Sequence, residues 1–170
     1  MEREELVARA LDFLVRLMDA DVPLDEALCS LSALAEQFQP GAIVGGTIID
    51  GRSATFDRVV YPSLLASPFS TFRHVPISSP IFGTCAKAVR EARTIICSDT
   101  ATEASFDVSW RSLYLGLGIH SVQSAPVFSF NGKPLGTFVV TSRQPRAHFD
   151  REMTGFGVYA MRTILQKPSC

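Results

Sequence analysis

Four cysteines are the side chains best suited to covalent or redox chemistry in this chain of 170 residues. A cysteine thiolate acts as a nucleophile or a metal ligand when its surroundings favour the charged form. The spacing of Cys29, Cys85, Cys97 and Cys170 matches neither a CxxC pair nor a zinc-binding pattern. The first three stand among apolar neighbours, where free cysteine behaves as a small hydrophobe. We therefore expect reduced thiols, an exposed Cys170 and no metal site.

Histidine is the second group that can do chemistry at neutral pH, and the chain has three. His74 opens the polar, proline-rich segment HVPISSP, where it could ligate haem or bind an anion. A loop histidine without a role is the simpler alternative, because no second ligand is evident in the sequence. The chain also lacks the GxSxG, P-loop, GxGxxG and HExxH motifs. We therefore expect no catalytic activity.

Charge and hydropathy exclude several classes of protein. The 16 basic and 17 acidic side chains are spread along the chain and give a net charge of −1, without the basic stripe of a nucleic-acid-binding protein. No apolar run approaches the ~18 residues that a membrane helix needs. The first residues, MEREE, are unlike a signal peptide. We expect a cytoplasmic protein with no nucleic-acid or membrane partner.

Apolar periodicity and turn signals divide the chain into helices and strands. Asn131-Gly132 joins two apolar runs and Asp50-Gly51 joins two more, and both dipeptides favour tight hairpins. Apolar residues spaced three and four apart predict helices elsewhere. The predicted helices are 4–20, 24–38, 83–91, 106–117 and 150–166, the predicted strands 42–49, 53–61, 94–98, 120–130 and 134–143. Residues 63–72 are predicted as a short helix or irregular segment, and 74–80 as a loop. This order predicts an α+β fold with an antiparallel sheet.

Five short segments carry a family resemblance. They are Gly83-Thr84-Cys85, Ile95 to Asp99, Ser124 to Val127, Gly132 to Phe138, and Pro145-Arg146. In this order they resemble the GAF domain, a small-molecule sensor module found beside PAS, GGDEF, EAL and histidine-kinase domains in bacterial sensors. Trp110 falls where the family often has tryptophan or tyrosine. The resemblance covers residues 20–166 and departs from the family pattern at Ala86-Lys87, where glycine and threonine are usual.

The resemblance implies a central antiparallel sheet, with the N- and C-terminal helices on one face and ligand-covering helices and loops on the other. It places a ligand between the sheet and the covering segments, residues 62–117. The candidate ligand-pocket residues are Phe69, Phe72, His74, Cys85, Trp110, Tyr114, Gln123 and Ser124. Each has a structural alternative, since Trp110, for example, would equally pack a helix onto the sheet. The ligand and any cofactor are unidentified; cyclic nucleotides, haem, small anions and metabolites stay open.

The implied function is a non-catalytic regulatory domain of bacterial signal transduction, which senses a small molecule and signals to a partner or output domain through its terminal helices.

One alternative is a ligand-free dimerisation or protein-interaction module, favoured by the missing glycine at Ala86-Lys87. Another is a free methionine-R-sulfoxide reductase, because those enzymes are GAF proteins with cysteines near the Gly-x-Cys turn. Cys85 and Cys97 offer two thiols, but residues 99–120 contain no cysteine. A tetrapyrrole on Cys85 would need aspartate and histidine signatures that are absent.

The two terminal helices carry apolar residues at spacings of four and three, the pattern of a coiled-coil seam. We expect residues 1–20 to form a dimerisation and signalling helix, 21–166 the sensory domain and 167–170 a tail, and we expect a homodimer. The expected interface residues are Leu6, Ala10, Phe13, Leu17, Met153, Gly157, Ala160 and Ile164. Two such short seams leave an alternative open, in which the same side chains cover the back of the sheet.

Overall fold

Antiparallel strand pairing organises the fold. The computed structural model describes residues 3–19, 21–64, 73–79 and 83–167. The helices in these ranges are α1 (Arg3–Asp19), α2 (Leu24–Phe38), α3 (Gly83–Glu91), α4 (Val108–Gly116) and α5 (Arg151–Leu165). The strands are β1 (Ala42–Asp50), β2 (Thr55–Val60), β3 (Ile95–Cys97), β4 (Ser121–Phe128) and β5 (Pro134–Ser142). None of these helices combines the length and apolar character needed to cross a membrane.

The strands form one sheet in the order β2-β1-β5-β4-β3, with every neighbouring pair antiparallel. The turn between β4 and β5 spans residues 129–133, longer than the two-residue turn that Asn-Gly favours. The Gly132 amide donates to Ser129 O at 3.0 Å, the Ser129 amide donates to Lys133 O at 2.8 Å, and Gly132 takes a left-handed φ of +80°. The Asp50 carboxylate accepts hydrogen bonds from the Arg52 amide at 2.9 Å and the Ser53 hydroxyl at 2.7 Å, which order the β1–β2 turn. The predicted α+β fold and both hairpins are confirmed.

We call the side of the sheet that carries Val44 and Phe138 the back face, and three helices lie on this side. Helix α2 packs on β1, α5 packs on β4 and β5, and α1 lies against α2 and α5. The contact between α5 and β5 is close, because a Cβ at Gly157 would lie 2.3 Å from the Phe138 ring. Only glycine therefore allows α5 to approach the sheet at this point.

The apolar seams of α1 and α5 are buried within one copy of the chain. All eight residues expected at a dimer interface are buried within one copy, from Leu17 at 2% exposed to Leu6 at 7% on α1 and from Met153 at 0% to Ile164 at 5% on α5. They pack against α2 and the sheet, which is the alternative that the spacing left open. The dimer stays a prediction, and in this structure it needs other residues than these eight.

The front face, opposite, is covered by α3 and α4, which pack on Ile43, Val122 and Val139 of the sheet. The segment predicted as a loop at 74–80 pairs in part with the start of β2. The Phe56 amide donates to Val75 O at 2.9 Å, and the His74 amide donates to Phe56 O at 2.7 Å. The prediction for 63–72 lies mostly outside the described residues.

Candidate functional site

The start of α3 brings polar side chains onto the front face. Gly83, its first residue, has a φ of +51°, and a Cβ there would lie 2.9 Å from the Phe106 ring. Glycine at this position lets the helix begin close to the sheet, so that its next two residues contact β4. The Thr84 and Ser124 hydroxyl oxygens are 2.8 Å apart, and the Cys85 Sγ lies 3.5 Å from the same Ser124 Oγ.

These contacts belong to a larger group that we call the hydroxyl cluster, made of Thr47, Thr84, Cys85, Ser124 and Thr137. Thr47 on β1 and Thr137 on β5 are directly opposite each other, with their hydroxyl oxygens 2.7 Å apart. Thr137 also hydrogen-bonds the Cys85 thiol. All five side chains are buried. A buried polar group is costly unless it is paired, and each of these is paired with another member.

An aromatic wall stands beside the hydroxyl cluster, made of Tyr61, Phe106, Trp110 and Tyr114. The ring centroids of Trp110 and Tyr114 are 5.2 Å apart, and those of Phe106 and Tyr114 are 5.7 Å apart, both in stacked arrangements. A hydrogen bond joins Tyr61 and Tyr114. The Asp107 carboxylate accepts from the Trp110 amide at 3.1 Å, so it caps α4 and fixes where this wall begins.

The two front-face thiols are held in their protonated form. Burial raises the pKa of Cys85, and hydrogen bonds from Ser124, Thr137 and Thr84 offset only part of this rise. Burial, helped by the Glu103 carboxylate, raises the pKa of Cys97 to about 12. A buried, protonated thiol is a poor nucleophile. Neither cysteine is therefore prepared for redox chemistry in this structure.

Four of the predicted pocket residues meet on the front face: Cys85, Trp110, Tyr114 and Ser124. Gln123 does not, because neighbouring residues of a strand point to opposite faces. Its Nε2 donates to Thr154 Oγ1 of α5 at 2.6 Å on the back face, so this assignment is wrong. His74 is exposed beside the start of β2. Phe69 and Phe72 lie outside the described residues.

The sequence did not single out Thr47, Thr137, Tyr61 or Phe106, although they complete the site. The two threonines stand in strongly apolar strands, where a β-branched hydroxyl residue looks like ordinary strand composition. The signal that could have found them is the two-residue period, which places Thr47 on the same face as Ile43 and Thr137 on the same face as Val139. Within the described ranges, no three side chains among His, Cys, Asp and Glu converge to hold a metal ion.

Comparison with known families decides what this fold is. A family model for the GAF domain matches residues 2–157. The chain belongs to the GAF domain family. No curated protein matches this GAF domain.

Solved GAF structures resemble it over most of their length. One, described as the structure of the GAF domain, has a TM-score of 0.71 at 17% identity and covers 98% of this chain and 89% of that one. A putative GAF sensor protein from Burkholderia vietnamiensis has a TM-score of 0.66 at 16% identity, over 97% and 94%. The free methionine-R-sulfoxide reductase from Neisseria meningitidis, solved with its substrate, has a TM-score of 0.67 at 16% identity, over 92% and 86%. At such identities the likeness shows the fold alone, and a sensor and an enzyme share it.

Proposed function

We propose that this GAF domain is a non-catalytic regulatory module of bacterial signal transduction, which binds a small molecule at the hydroxyl cluster in the cytoplasm. The observation that carries the proposal is the convergence of Thr84, Ser124 and Thr137, from three elements, beside an aromatic wall. Small-molecule sites combine apolar and aromatic surface with a few placed polar groups, and this region has that composition. Ligand entry requires the aromatic wall to move, which is a shift between two packings.

The thiols argue against the reductase alternative. A thiol-based reductase needs a cysteine whose thiolate forms readily in an accessible place. Cys85 is 3% exposed and Cys97 is 1% exposed, and burial raises the pKa of both. We therefore take the structural likeness to reductases as support for the fold, and propose no reductase chemistry from it.

A route to the terminal helices supports the signalling part of the proposal. Ser124 and Gln123 are neighbours on β4, one in the hydroxyl cluster and the other hydrogen-bonded to Thr154 of α5. A displacement of β4 at the ligand therefore acts directly on α5. Helix α5 in turn is tied to α1, since the Arg3 guanidinium pairs with Glu152 at 2.5 Å. We infer that α5 and α1 carry the ligand state to a partner or output domain.

A homodimer is the second part of the proposal, and we place it on the outer side of α1. Val7, Leu11, Val15 and Met18 follow one side of this helix and are 43–72% exposed. The first turn carries Glu4 and Glu5 and the last turn Arg16. Antiparallel pairing of two α1 helices across a two-fold axis would bury the apolar stripe and bring opposite charges together.

The dimer is tested by light scattering after size exclusion. We expect Leu11→Glu to convert the dimer to a monomer. The matched control is Leu115→Glu on α4, which also introduces a charge at an exposed leucine but lies on the other side of the sheet. A wild-type protein that stays monomeric at about 100 μM, where even a weak micromolar dimer forms, rejects the interface.

Ligand binding is tested by native mass spectrometry of gently purified protein. We expect a discrete extra mass that disappears on denaturation, and we expect Ser124→Ala to lose it. Ser121→Ala is the control, because Ser121 is buried on the same strand but donates to Gln144 O instead. Trp110, the only tryptophan of the chain, reports rebinding of the released molecule by its fluorescence.

Absence of any extra mass, together with unchanged Trp110 fluorescence in a panel of nucleotides and metabolites, would favour the ligand-free module. The burial of Trp110 and Tyr114 to 2% exposure by the chain's own atoms is the observation behind that alternative.

A further inference from the structure

The helices leave one strip of the back face uncovered. Helix α5 lies on β4 and β5, and among the described residues no helix packs extensively on the back side of β3 at the edge of the sheet. Ile96 is accordingly 53% exposed, while its neighbours Ile95 and Cys97 point to the front face and are buried. A groove of about 630 Å³ runs between α5 and this strip. We call it the β3–α5 groove, and its walls include Arg93, Ile96, Ala125, Arg151, Gly155 and Val158.

The groove has the size and surface of a binding site. Its volume falls within the roughly 300–1,000 Å³ that is usual for small-molecule sites. Ile96, Ala125 and Val158 give it apolar walls. Apart from the nearby backbone of α5 itself, no described atom lies within 4 Å of the place where a Cβ of Gly155 would be, so this part of the groove is open.

The two arginines lie towards different ends of the groove. Strand β4 and α5 run in the same direction, because Gln123 contacts Thr154 and Phe128 O accepts from Arg162 Nε at 2.6 Å. Arg151, one helical turn before Thr154, therefore lies at the Gln123 end. Arg93 lies towards the other end, because β3 runs antiparallel to β4 and Ile95 already pairs with Ser124.

Only one of these cations is without a counter-charge. Arg93 pairs with Glu91 at 2.5 Å. For Arg151, no carboxylate of the described residues lies within ion-pair distance. The groove thus presents, at one end, a guanidinium with no ion-pair partner among the described residues. Next to it lies the hydrogen-bonded pair Gln123–Thr154, and the apolar surface of Ile96, Ala125 and Val158 completes the walls.

We propose that the β3–α5 groove binds an apolar monocarboxylate, a free small molecule whose carboxylate pairs with Arg151 and whose hydrocarbon part lies over Ile96, Ala125 and Val158. A guanidinium matches a carboxylate in charge and in planar, two-pronged geometry. The site is separate from the hydroxyl cluster, which lies on the opposite face of the sheet, and does not depend on it. A ligand in this groove contacts both β4 and α5, the two elements through which the front face of the sheet is connected to the helices on its back face.

The probe is octanoate, titrated into the full chain and followed by two-dimensional ¹H–¹⁵N NMR spectra. We expect saturable shifts of the amides of residues 93–96 and 151–158. Octan-1-ol, which has the same chain length without the charge, is the control ligand and is expected to leave these amides unchanged at equal concentration.

Two variants locate the site. Gly155→Leu fills the groove and is expected to abolish the shifts, and it does not endanger the helix, since leucine forms helices better than glycine. Gly116→Leu on α4, the other open helical glycine, is its control. Arg151→Gln is expected to weaken octanoate binding about ten-fold, as the loss of a charge-assisted hydrogen bond does. Arg52→Gln in the β1–β2 turn is its control.

Three results would overturn the proposal. One is no saturable shift with octanoate at millimolar concentration. The second is a set of shifts around Ser124 and Trp110 that Gly155→Leu leaves intact, which would place the probe at the front face. The third is tighter binding of an acetylated, amidated hexapeptide of alternating leucine and glutamate, lost in the same variants. That outcome would assign the groove to a protein partner.

Discussion

The front and back faces of the sheet are built from the same strands but differ in polarity. The back face is mostly apolar, with Val44, Val127, Phe138 and Val140 and one hydrogen-bonded amide, Gln123. The front face mixes Ile43, Val122 and Val139 with the hydroxyls of Thr47, Ser124, Thr137 and Thr141. The back face packs apolar side chains against three helices and admits no extra atom at Gly157. The front face keeps hydroxyls in its interior, where their loss of water must be offset by hydrogen bonds among themselves.

The two faces of the sheet therefore differ in what their side chains do: the front face keeps buried hydroxyls, and the back face packs against helices. Apolar groups would fill the front face with less risk of an unpaired polar atom, so stability alone does not explain the hydroxyls. The proposed ligand site would explain them, because a ligand there would exchange hydrogen bonds with these hydroxyls. The back face, in contrast, holds α5 close against β5 at Gly157 and Phe138.

The largest expected effect comes from the glycine contact on the back face. Gly157→Ala should lower the free energy of unfolding by about 3 kcal/mol, because the added Cβ meets the Phe138 ring in a packed interior. Gly155→Ala, two residues earlier in the open groove, should instead raise it by up to ~1 kcal/mol through helix propensity. Urea denaturation measures both. Equal effects of the two substitutions would mean that α5 does not approach β5 so closely.

Thiol reactivity should differ between the two sides of the molecule. Cys29 is exposed on α2, whereas Cys85 and Cys97 are buried on the front face. Iodoacetamide followed by peptide mass spectrometry should show Cys29 modified at least ~100-fold faster than Cys97, since each unit of raised pKa lowers the thiolate fraction ten-fold. Cys29 should also react faster than Cys85, because burial shields the Cys85 thiol and raises its pKa. Cys97 should stay unmodified even at pH 9, because its pKa is about 12.

If Cys85 instead reacted as fast as Cys29, the reductase alternative would regain support. Thiol-dependent turnover of free methionine-R-sulfoxide, abolished by Cys85→Ser, would then establish it.

The hydroxyl pair of Thr47 and Thr137 should show energetic coupling. Thr47→Val and Thr137→Val should each cost about 1–2 kcal/mol of stability, because each removes the hydrogen bond between these two buried hydroxyls. The double variant should cost less than the sum, by about 1 kcal/mol. Thr141→Val is the control, since Thr141 donates to Ile43 O and should combine additively with Thr47→Val. Additivity in both pairs would show that Thr47 and Thr137 do not interact.

The smallest effect concerns the cap of α5. The amide of Met153 donates to Asp150, and this bond, with the nearby Arg3, lowers the pKa of the Asp150 carboxyl below 3.8. The unfolded chain therefore binds the proton more readily, so the stabilisation is complete above about pH 4 and is lost as the pH falls through the folded-state pKa. Asp150→Asn keeps the cap and should cost about 0.5 kcal/mol at pH 7. If the stability of Asp150→Asn fell with pH between 4 and 2 as steeply as that of the wild-type protein, this explanation would be contradicted.

Short sequence patterns predicted the fold well, because the residues that define a turn or the helix or strand beside it lie next to one another in the chain. Asn131-Gly132 marks the position of a turn that spans residues 129–133, and the segments of β4 and β5 follow on either side of it. The seam of α1 and α5 was less informative. Apolar residues spaced four and three apart show that a helix has a buried side, but not whether that side faces another copy or its own sheet. In this structure Phe13 and Met153 face their own core.

The site was predicted in part for a related reason. Cys85 and Ser124 belong to segments with a recognisable pattern, so they were found. Gln123 and Ser124 were proposed together although a strand separates neighbours onto opposite faces. Thr47 was missed because its role depends on Thr137, which lies 90 residues later in the chain. No short window of sequence contains such a contact.

The pairing of β1 with β5 also has a consequence for how the protein is made. Ala42 pairs with Ser142, which is synthesised about 100 residues later. On the ribosome, the edge of β1 that will pair with β5 therefore stays unpaired while those residues are made. Closing so long a loop is slow, and an exposed apolar strand edge meanwhile invites aggregation. Expression should therefore depend on synthesis rate and chaperone supply, and chains stopped before β5 should be cleared by proteolysis.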